Sequence, residues 1–302
     1  MKIDTLYIIG CGFDLAHSMP ACYSCFKSYL SKNNGKRNEC VECPYKDILP
    51  CDNKKCYILS LLSSAATSEE WNNFEQDLAL LDFRSLGIKS FPKLDNLIDN
   101  MYDDLQEAFH AWINSIVLPS RGCGVYKIEP NAFFLTFNYT MTLEQTYSIA
   151  PSHVCHIHGS YDNQCKTGEK YVFGHNIDHK NIKQRFLQTM SGNDATIIDE
   201  WSLAIDRLKK DSFSQCHILR NWLKQSQLRN CTTIKIIGHS FSEVDFDYFK
   251  EIYTIFPDAH WIYYYLSLDS KCKVLNNVTL FKNKFGIRHI NITFEPTQTI
   301  LK

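Results

Sequence analysis

A chain of 302 residues, 44% apolar and 13% aromatic, holds enough hydrophobic material to bury a core without disulfide or metal staples. A formal charge of −1, from 32 basic and 33 acidic residues, excludes the general basic surplus that drives binding to nucleic acid or anionic membranes. No apolar run reaches the roughly 20 residues that span a bilayer, and Met1-Lys2-Ile3-Asp4 leads straight into a strand-like segment with no leader before it, so a cytoplasmic location is expected.

In chain order, Thr5–Ile9 reads as a short buried strand ending in the glycine turn Gly10-Cys11-Gly12, with a helix to follow. Cys22–Leu118 reads as largely helical. Thr67-Ser68-Glu69-Glu70 forms a capping box, Trp71, Phe74, Leu78 and Leu81 share one helical face, and Leu94, Ile98, Met101, Leu105, Phe109 and Trp112 mark a second long helix. A βαβ rhythm then returns: strands at Ala132–Phe137 and Val154–Ile157 flank a helix through Leu143–Tyr147. Tyr171-Val172-Phe173 suggests another short strand, and Asn181–Gln227 a mostly helical region. Strands at Thr233–Ile237, Trp261–Leu266 and His289–Phe294 close the chain, with a helix at Glu243–Ile255 between the first two. Ser31–Lys55 and Asp162–Lys170 have the composition of flexible loops.

Strands alternating with helices predict an α/β, Rossmann-like fold: a mainly parallel sheet covered by helices on both faces, with ligands bound at the strands' carboxyl ends. The expected organisation is a single domain over 1–302 carrying a mostly helical insertion at about 22–122, with its Cys-rich loop at 31–56.

Four strand-end turns are rich in polar groups. Gly10-Cys11-Gly12-Phe13-Asp14 either lets backbone N–H groups approach a phosphate at a helix N-terminus or serves only as a strand-to-helix turn; the third glycine of the dinucleotide fingerprint is absent. In Thr136-Phe137-Asn138-Tyr139-Thr140, Asn138 either points into a pocket or caps the helix that begins near Thr140. His156 and His158, two residues apart at the end of a strand, share a face by period-2 alternation, as a metal pair or as structural histidines. Gly238-His239-Ser240 stands where a nucleophile elbow would. Ser242 replaces the elbow's last glycine, which turns Ser240 toward a phosphate or ribose contact or a helix cap.

Thirteen cysteines in a chain without an export signal imply reduced thiols or metal ligands rather than a disulfide framework. Cys40, Cys43, Cys51 and Cys56 crowd into one polar, lysine-rich stretch, where they suit a structural zinc site or free thiols.

Together these segments resemble the bacteriophage abortive-infection AbiH family. The matching pieces are Ile8–His17, Trp71-Asn72-Asn73-Phe74-Glu75, Leu135–Thr140 with Leu143-Glu144, His156-Ile157-His158-Gly159, Phe173-Gly174-His175-Asn176, and Ile237–Ser240 with Val244-Asp245. Cys11 stands where the family pattern has Asn, and Ser18 where it often has Gly. The same skeleton is similar, more distantly, to sirtuins and the sirtuin-like NAD hydrolases of phage defence. That likeness implies catalytic roles for Asn138 and His158 and nucleotide contacts from Gly10, Cys11, Gly12, Phe13, Asp14, Thr136, Tyr139, Gly159, Gly238, His239 and Ser240. Thr140 replaces the acidic residue of the sirtuin Asn-x-Asp.

The resemblance implies an anti-phage effector that binds NAD or a related nucleotide and hydrolyses its nicotinamide–ribose bond, acting as a homo-oligomer or with a defence-system partner. Two alternatives stand beside it. One is a serine hydrolase using Ser240, with His260 or His289 and Asp245 or Asp258; the other is a non-catalytic nucleotide sensor.

Overall fold

The computed structural model describes residues 4–33, 74–81, 92–189, 195–224, 228 and 230–302. The Cys40–Cys56 cluster, the Thr67–Glu70 capping box and Trp71-Asn72-Asn73 lie outside the described residues. In chain order the elements are β1 (Thr5–Ile9), α1 (Cys11–Ala16), α2 (Tyr23–Asn33), α3 (Phe74–Asp77), α4 (Pro92–Asn114), β2 (Phe133–Thr136), α5 (Thr142–Tyr147), β3 (Val154–His156) and α6 (Tyr161–Thr167). There follow α7 (His179–Thr189), α8 (Ala195–Asp206), α9 (Ser212–Leu223), β4 (Thr233–Ile237), α10 (Phe246–Ile255), β5 (His260–Tyr265), α11 (Leu268–Phe285) and β6 (Ile292–Pro296). Among the described residues no helix is long and apolar enough to cross a membrane.

The chain divides into two compact units, the first made of Met1–Ala21, Ile116–Val172 and Asp211–Lys302. It contains one six-stranded sheet of order β3-β2-β1-β4-β5-β6, with every neighbouring pair parallel. The expected α/β, Rossmann-like class is the observed one. Pleating sends alternate residues of β1 to opposite faces. Leu6 and Ile8 join a core with Leu219 and Leu223 of α9, Phe249 and Ile252 of α10, and Val274, Val278 and Phe281 of α11. Tyr7 and Ile9 join a second core with Phe13 of α1, Phe134 and Leu143. Both faces of the central strands are therefore buried, which explains why TLYII is apolar without alternation.

The second unit comprises Cys22–Ser115 and Phe173–Lys210. Its described part is helical and centred on aromatic rings: Phe26 meets Phe109 at 5.1 Å and Trp112 at 5.2 Å, and Phe109 meets Phe173 at 5.3 Å. The wholly buried Lys210 ammonium lies 3.1 Å from the Glu75 carboxylate, which also accepts the Gly174 N–H. A charge so buried requires such a partner.

Four local expectations need correcting. Tyr171–Phe173 is not a strand; the Val172 N–H is taken instead by the His158 carbonyl in an irregular connection. Asp162–Lys170 is mostly α6, because Ser160 accepts from the Asn163 N–H at its start and Gly168, at φ 70°, closes its end. The last strand begins at Ile292 rather than His289. The helix α11, opened by a reciprocal Ser267–Ser270 capping box and closed by Gly286, fills a stretch for which no helix was expected.

Candidate functional site

The strand order reverses direction between β1 and β4, and at such a switch point an open parallel sheet leaves a crevice at its carboxyl edge. Here the two glycine turns meet in that place. Gly10 N–H donates to the Ile237 carbonyl at 3.0 Å and Gly12 N–H to the Gly238 carbonyl at 2.9 Å. A Cβ on Gly10 would lie 2.6 Å from both Gly238 O and His239 Cα, and one on Gly238, at φ +69°, would lie 2.2 Å from the Phe13 nitrogen. The glycines thus have a packing role in the close approach of two turns, and the Gly12 and Phe13 N–H groups are already spent within the protein. Cys11, at the first turn of α1, is exposed.

From α1, Asp14 projects into the protein and is only 1% exposed. Its carboxylate accepts from Thr140 Oγ1 at 2.5 Å and from Thr142 Oγ1 at 2.9 Å. These two threonines were expected at a helix start; the N-cap of α5 is instead Met141, which makes no side-chain cap, because both hydroxyls serve Asp14. Asn138 is not a cap either. Its side-chain amide donates to the Gly10 carbonyl at 3.1 Å, tying the β2 turn to the β1 turn, while its own N–H donates to Thr136 Oγ1.

Burial pushes the Asp14 carboxyl up from 3.8 to about 6, against the hydrogen bonds of Thr140, Thr142 and Asn138 and the field of His156. Because the folded value lies above the unfolded one, the folded chain binds more protons between them. Stability is then expected to fall as pH rises from about 4 to about 6, by on the order of 3 kcal/mol, and to level off above. In Asp14→Asn, urea unfolding across that interval should show a flattened dependence; an unchanged slope would refute the assignment.

The two histidines of the β3 end part company. β3 stops at His156, so the period-2 alternation does not carry on to His158, which lies in the following turn. His156 is held between the Asn138 carbonyl, 3.1 Å from Nδ1, and Glu144 Oε1, 2.8 Å from Nε2. Both ring nitrogens thus face oxygen atoms, one from the β2 turn and one from α5. His158, 3% exposed, stands edge-on to Phe137 at 5.0 Å, with Nε2 3.8 Å from Asp245 Oδ1. Gly159, at φ +82°, turns the chain away after it. Among the described residues no group of three or more His, Cys, Asp or Glu is arranged to hold a metal ion.

His239 completes a second buried cluster. The Phe241 N–H donates to His239 Nδ1 at 2.9 Å, which places the ring proton on Nε2, 3.5 Å from Asp245 Oδ2. Asp245 therefore sits between His158 and His239, and the ring of Phe137 lies against both. The sequence does not suggest this grouping: it offers Asp245 as an AbiH-matching residue beside Val244 and as a partner for Ser240. Ser240 itself is exposed, and no histidine hydrogen-bonds its hydroxyl among the described residues. The left-handed backbone falls on Phe241, at φ 54°, and Ser242 is extended at the start of a short 3-10 turn. Tyr139, the remaining expected contact, is buried, and its hydroxyl donates to the Val172 carbonyl at 3.3 Å.

A separate cavity of about 480 Å³ is lined by Arg121, Lys127, Lys302, Tyr126 and Tyr147 among others. None of the residues expected to touch a nucleotide lines it. His17 stands behind it with its tautomer fixed, since Nδ1 donates to the Phe13 carbonyl and Nε2 accepts from the Val125 N–H and faces the Tyr147 hydroxyl at 2.8 Å. Burial holds its pKa below the ordinary histidine value.

A family model described as Bacteriophage abortive infection AbiH matches residues 6–265. The chain belongs to the AbiH family. No curated protein and no solved structure matches it. The AbiH-matching segments gather in two places. Those of the first unit form the turns just described. In the second unit, Glu75 accepts from the Gly174 N–H, and His175 is locked by Nε2 donating to the Ile205 carbonyl while Nδ1 accepts from Ile177.

Proposed function

We propose that this AbiH chain is an abortive-infection effector that binds NAD or a related nucleotide at the carboxyl edge of its sheet and hydrolyses the nicotinamide–ribose bond. One observation carries the reading: Asp14, Asn138, His158, His239 and Asp245, all buried, belong to the turns and helix starts that follow β1, β2, β3 and β4 along the carboxyl edge of the sheet. Buried ionisable groups cost free energy, and their convergence at a ligand-binding edge marks a functional site. In this reading His158 takes a proton from water as the water oxygen bonds to the ribose anomeric carbon. The electrons of the breaking C–N bond pass to the pyridinium ring, and nicotinamide leaves neutral. Asp245 stabilises the resulting imidazolium. Asn138, with its amide nitrogen held by Gly10, uses its side-chain oxygen to orient the water. The positive charge already on the leaving group removes the need for a strong general acid. Incubating the full chain with NAD and following free nicotinamide tests the reading; an absence of both release and binding would overturn it.

A second reading, a nucleotide sensor without turnover, is favoured by the cationic cavity. The nearest acidic residue in sequence, Glu129, is engaged by Lys235 at 2.5 Å and by the Tyr7 hydroxyl, which leaves Arg121, Lys127 and Lys302 to set the sign of the cavity. If this cavity holds the phosphates, Arg121→Ala and Lys127→Ala should each weaken nucleotide binding about tenfold by calorimetry, the usual size of a lost charge-assisted hydrogen bond. Affinity unchanged by both, with nicotinamide still released, would leave the edge of the sheet as the site.

A further inference from the structure

Cys22-Tyr23-Ser24-Cys25 brings two cysteines to the first turn of α2 with the spacing C-x-x-C. The backbone there is ordinary helix entry: Cys25 N–H donates to the Cys22 carbonyl at 2.9 Å and Phe26 N–H to the same oxygen at 3.1 Å. The turn brings Cys22 Sγ to 3.0 Å from Cys25 Sγ and 2.9 Å from Ser24 Oγ. Neither thiol is sealed in the core; both are partly exposed, unlike Cys155, Cys216 and Cys231. Those three are held well above the ordinary thiol value by burial and are inert packing residues.

We propose that Cys22 and Cys25 form a redox-active dithiol that exchanges with low-molecular-weight disulfides, with Cys22 as the attacking sulfur and Cys25 as the resolving one. The asymmetry follows from the contacts. Cys22 Sγ lies within hydrogen-bond distance of both the Ser24 hydroxyl and the Cys25 thiol, at the N-terminal end of α2, where the helix dipole favours negative charge. Partial burial opposes ionisation of Cys22, yet those hydrogen bonds outweigh it and hold the thiol below its ordinary value. Burial and the hydrogen bond to Cys22 hold Cys25 above its own. In the first step Cys22 thiolate bonds to one sulfur of the small disulfide and expels the other half as thiolate. In the second, Cys25 loses its proton and attacks Cys22 Sγ, expelling the second half. The dithiol is oxidised by two electrons, and the small disulfide is reduced to two thiols. The helix already holds the sulfurs side by side, so little reorganisation is needed to close the ring.

The test uses the full chain, reduced, equilibrated without oxygen in buffers of varied glutathione-to-glutathione-disulfide ratio, quenched with iodoacetamide and analysed by peptide mass spectrometry. The peptide carrying both residues should pass from two alkyl groups to none, with loss of two hydrogens, in a single transition. Cys25→Ser should trap glutathione on Cys22. At neutral pH, iodoacetamide should modify Cys22 faster than Cys25, because the sulfur of lower pKa holds the larger thiolate fraction. Two alkyl groups at every ratio would overturn the dithiol. Equal alkylation rates, or glutathione trapped by Cys22→Ser and not by Cys25→Ser, would overturn the assigned roles.

Discussion

Gly238→Ala is expected to destabilise the protein by about 3–5 kcal/mol, a large fraction of the 5–15 kcal/mol that holds a typical domain together. Two costs combine. An L residue at φ +69° is strained by about 1–2 kcal/mol, and the new methyl would stand 2.2 Å from the Phe13 nitrogen and 2.6 Å from the Gly12 carbonyl carbon. Those are backbone atoms in the first turn of α1, so no rotamer change can relieve the contact; the turn itself must move, and the Gly12 N–H to Gly238 carbonyl bond with it. Gly168 supplies the control. It has nearly the same dihedral, φ +70°, but a Cβ there meets nothing within 4 Å. Gly168→Ala should therefore cost only the conformational strain. Urea midpoints for both variants separate packing from dihedral preference, and equal losses would show that the turn contact is unimportant.

That contrast also shows what the sequence could convey. Both glycines look alike in a string of letters; only the folded chain reveals that one is pressed against a neighbouring turn. Strands β1 and β4 were legible to the residue, because TLYII and TIKII are short apolar runs bounded by polar or glycine residues. Their adjacency was not, since parallel pairing joins Ile9 to Ile237 across most of the chain. Helix α11 is hard to read in the sequence although Val274, Val278 and Phe281 keep helical spacing. Lys, Asn and Thr on its outer face dilute the pattern, and its box closes with Ser270 rather than the usual Glu or Gln.

The candidate site was half legible for a related reason. Polar residues after apolar strands are conspicuous, and Asp14, Asn138, His158 and His239 stood out in that way. What a residue faces is a tertiary property. Asp245 reads as an ordinary acid ahead of a helix, and its position between two buried histidines depends on the β3 and β4 turns arriving together. Glu144 likewise reads as part of a helix start until its carboxylate is found on His156. Conversely, Thr140 and Thr142 offered a plausible local cap, and the longer-range demand of a buried carboxylate at Asp14 took both hydroxyls.

If nicotinamide is released, His158→Ala and Asn138→Ala should each lower turnover by on the order of 10²–10⁴-fold, the size expected for a lost general base or a misplaced reactant. The two substitutions differ in what else they remove. His158 packs against Phe137 at 5.0 Å and Tyr248 at 5.6 Å, so its truncation also leaves a gap in the core, whereas His158→Gln fills most of that volume without supplying a base in the neutral range. Asn138 holds Gly10, so Asn138→Ala loosens the β1–β2 turn contact by roughly 1 kcal/mol, the net worth of one hydrogen bond. Turnover and urea midpoint measured on all three variants separate chemistry from folding. A catalytic His158 predicts that the Gln variant keeps near-normal stability and loses activity with Ala; a His158 that only packs predicts that the Gln variant recovers both. Asp245→Asn offers an independent check, because a carboxylate that stabilises the imidazolium at 3.8 Å should move the acid limb of the rate–pH profile to lower pH when it is neutralised. A profile unmoved by Asp245→Asn, together with full turnover in His158→Gln, would remove His158 from the chemistry and leave the buried triad as a structural joint between the β3 and β4 turns.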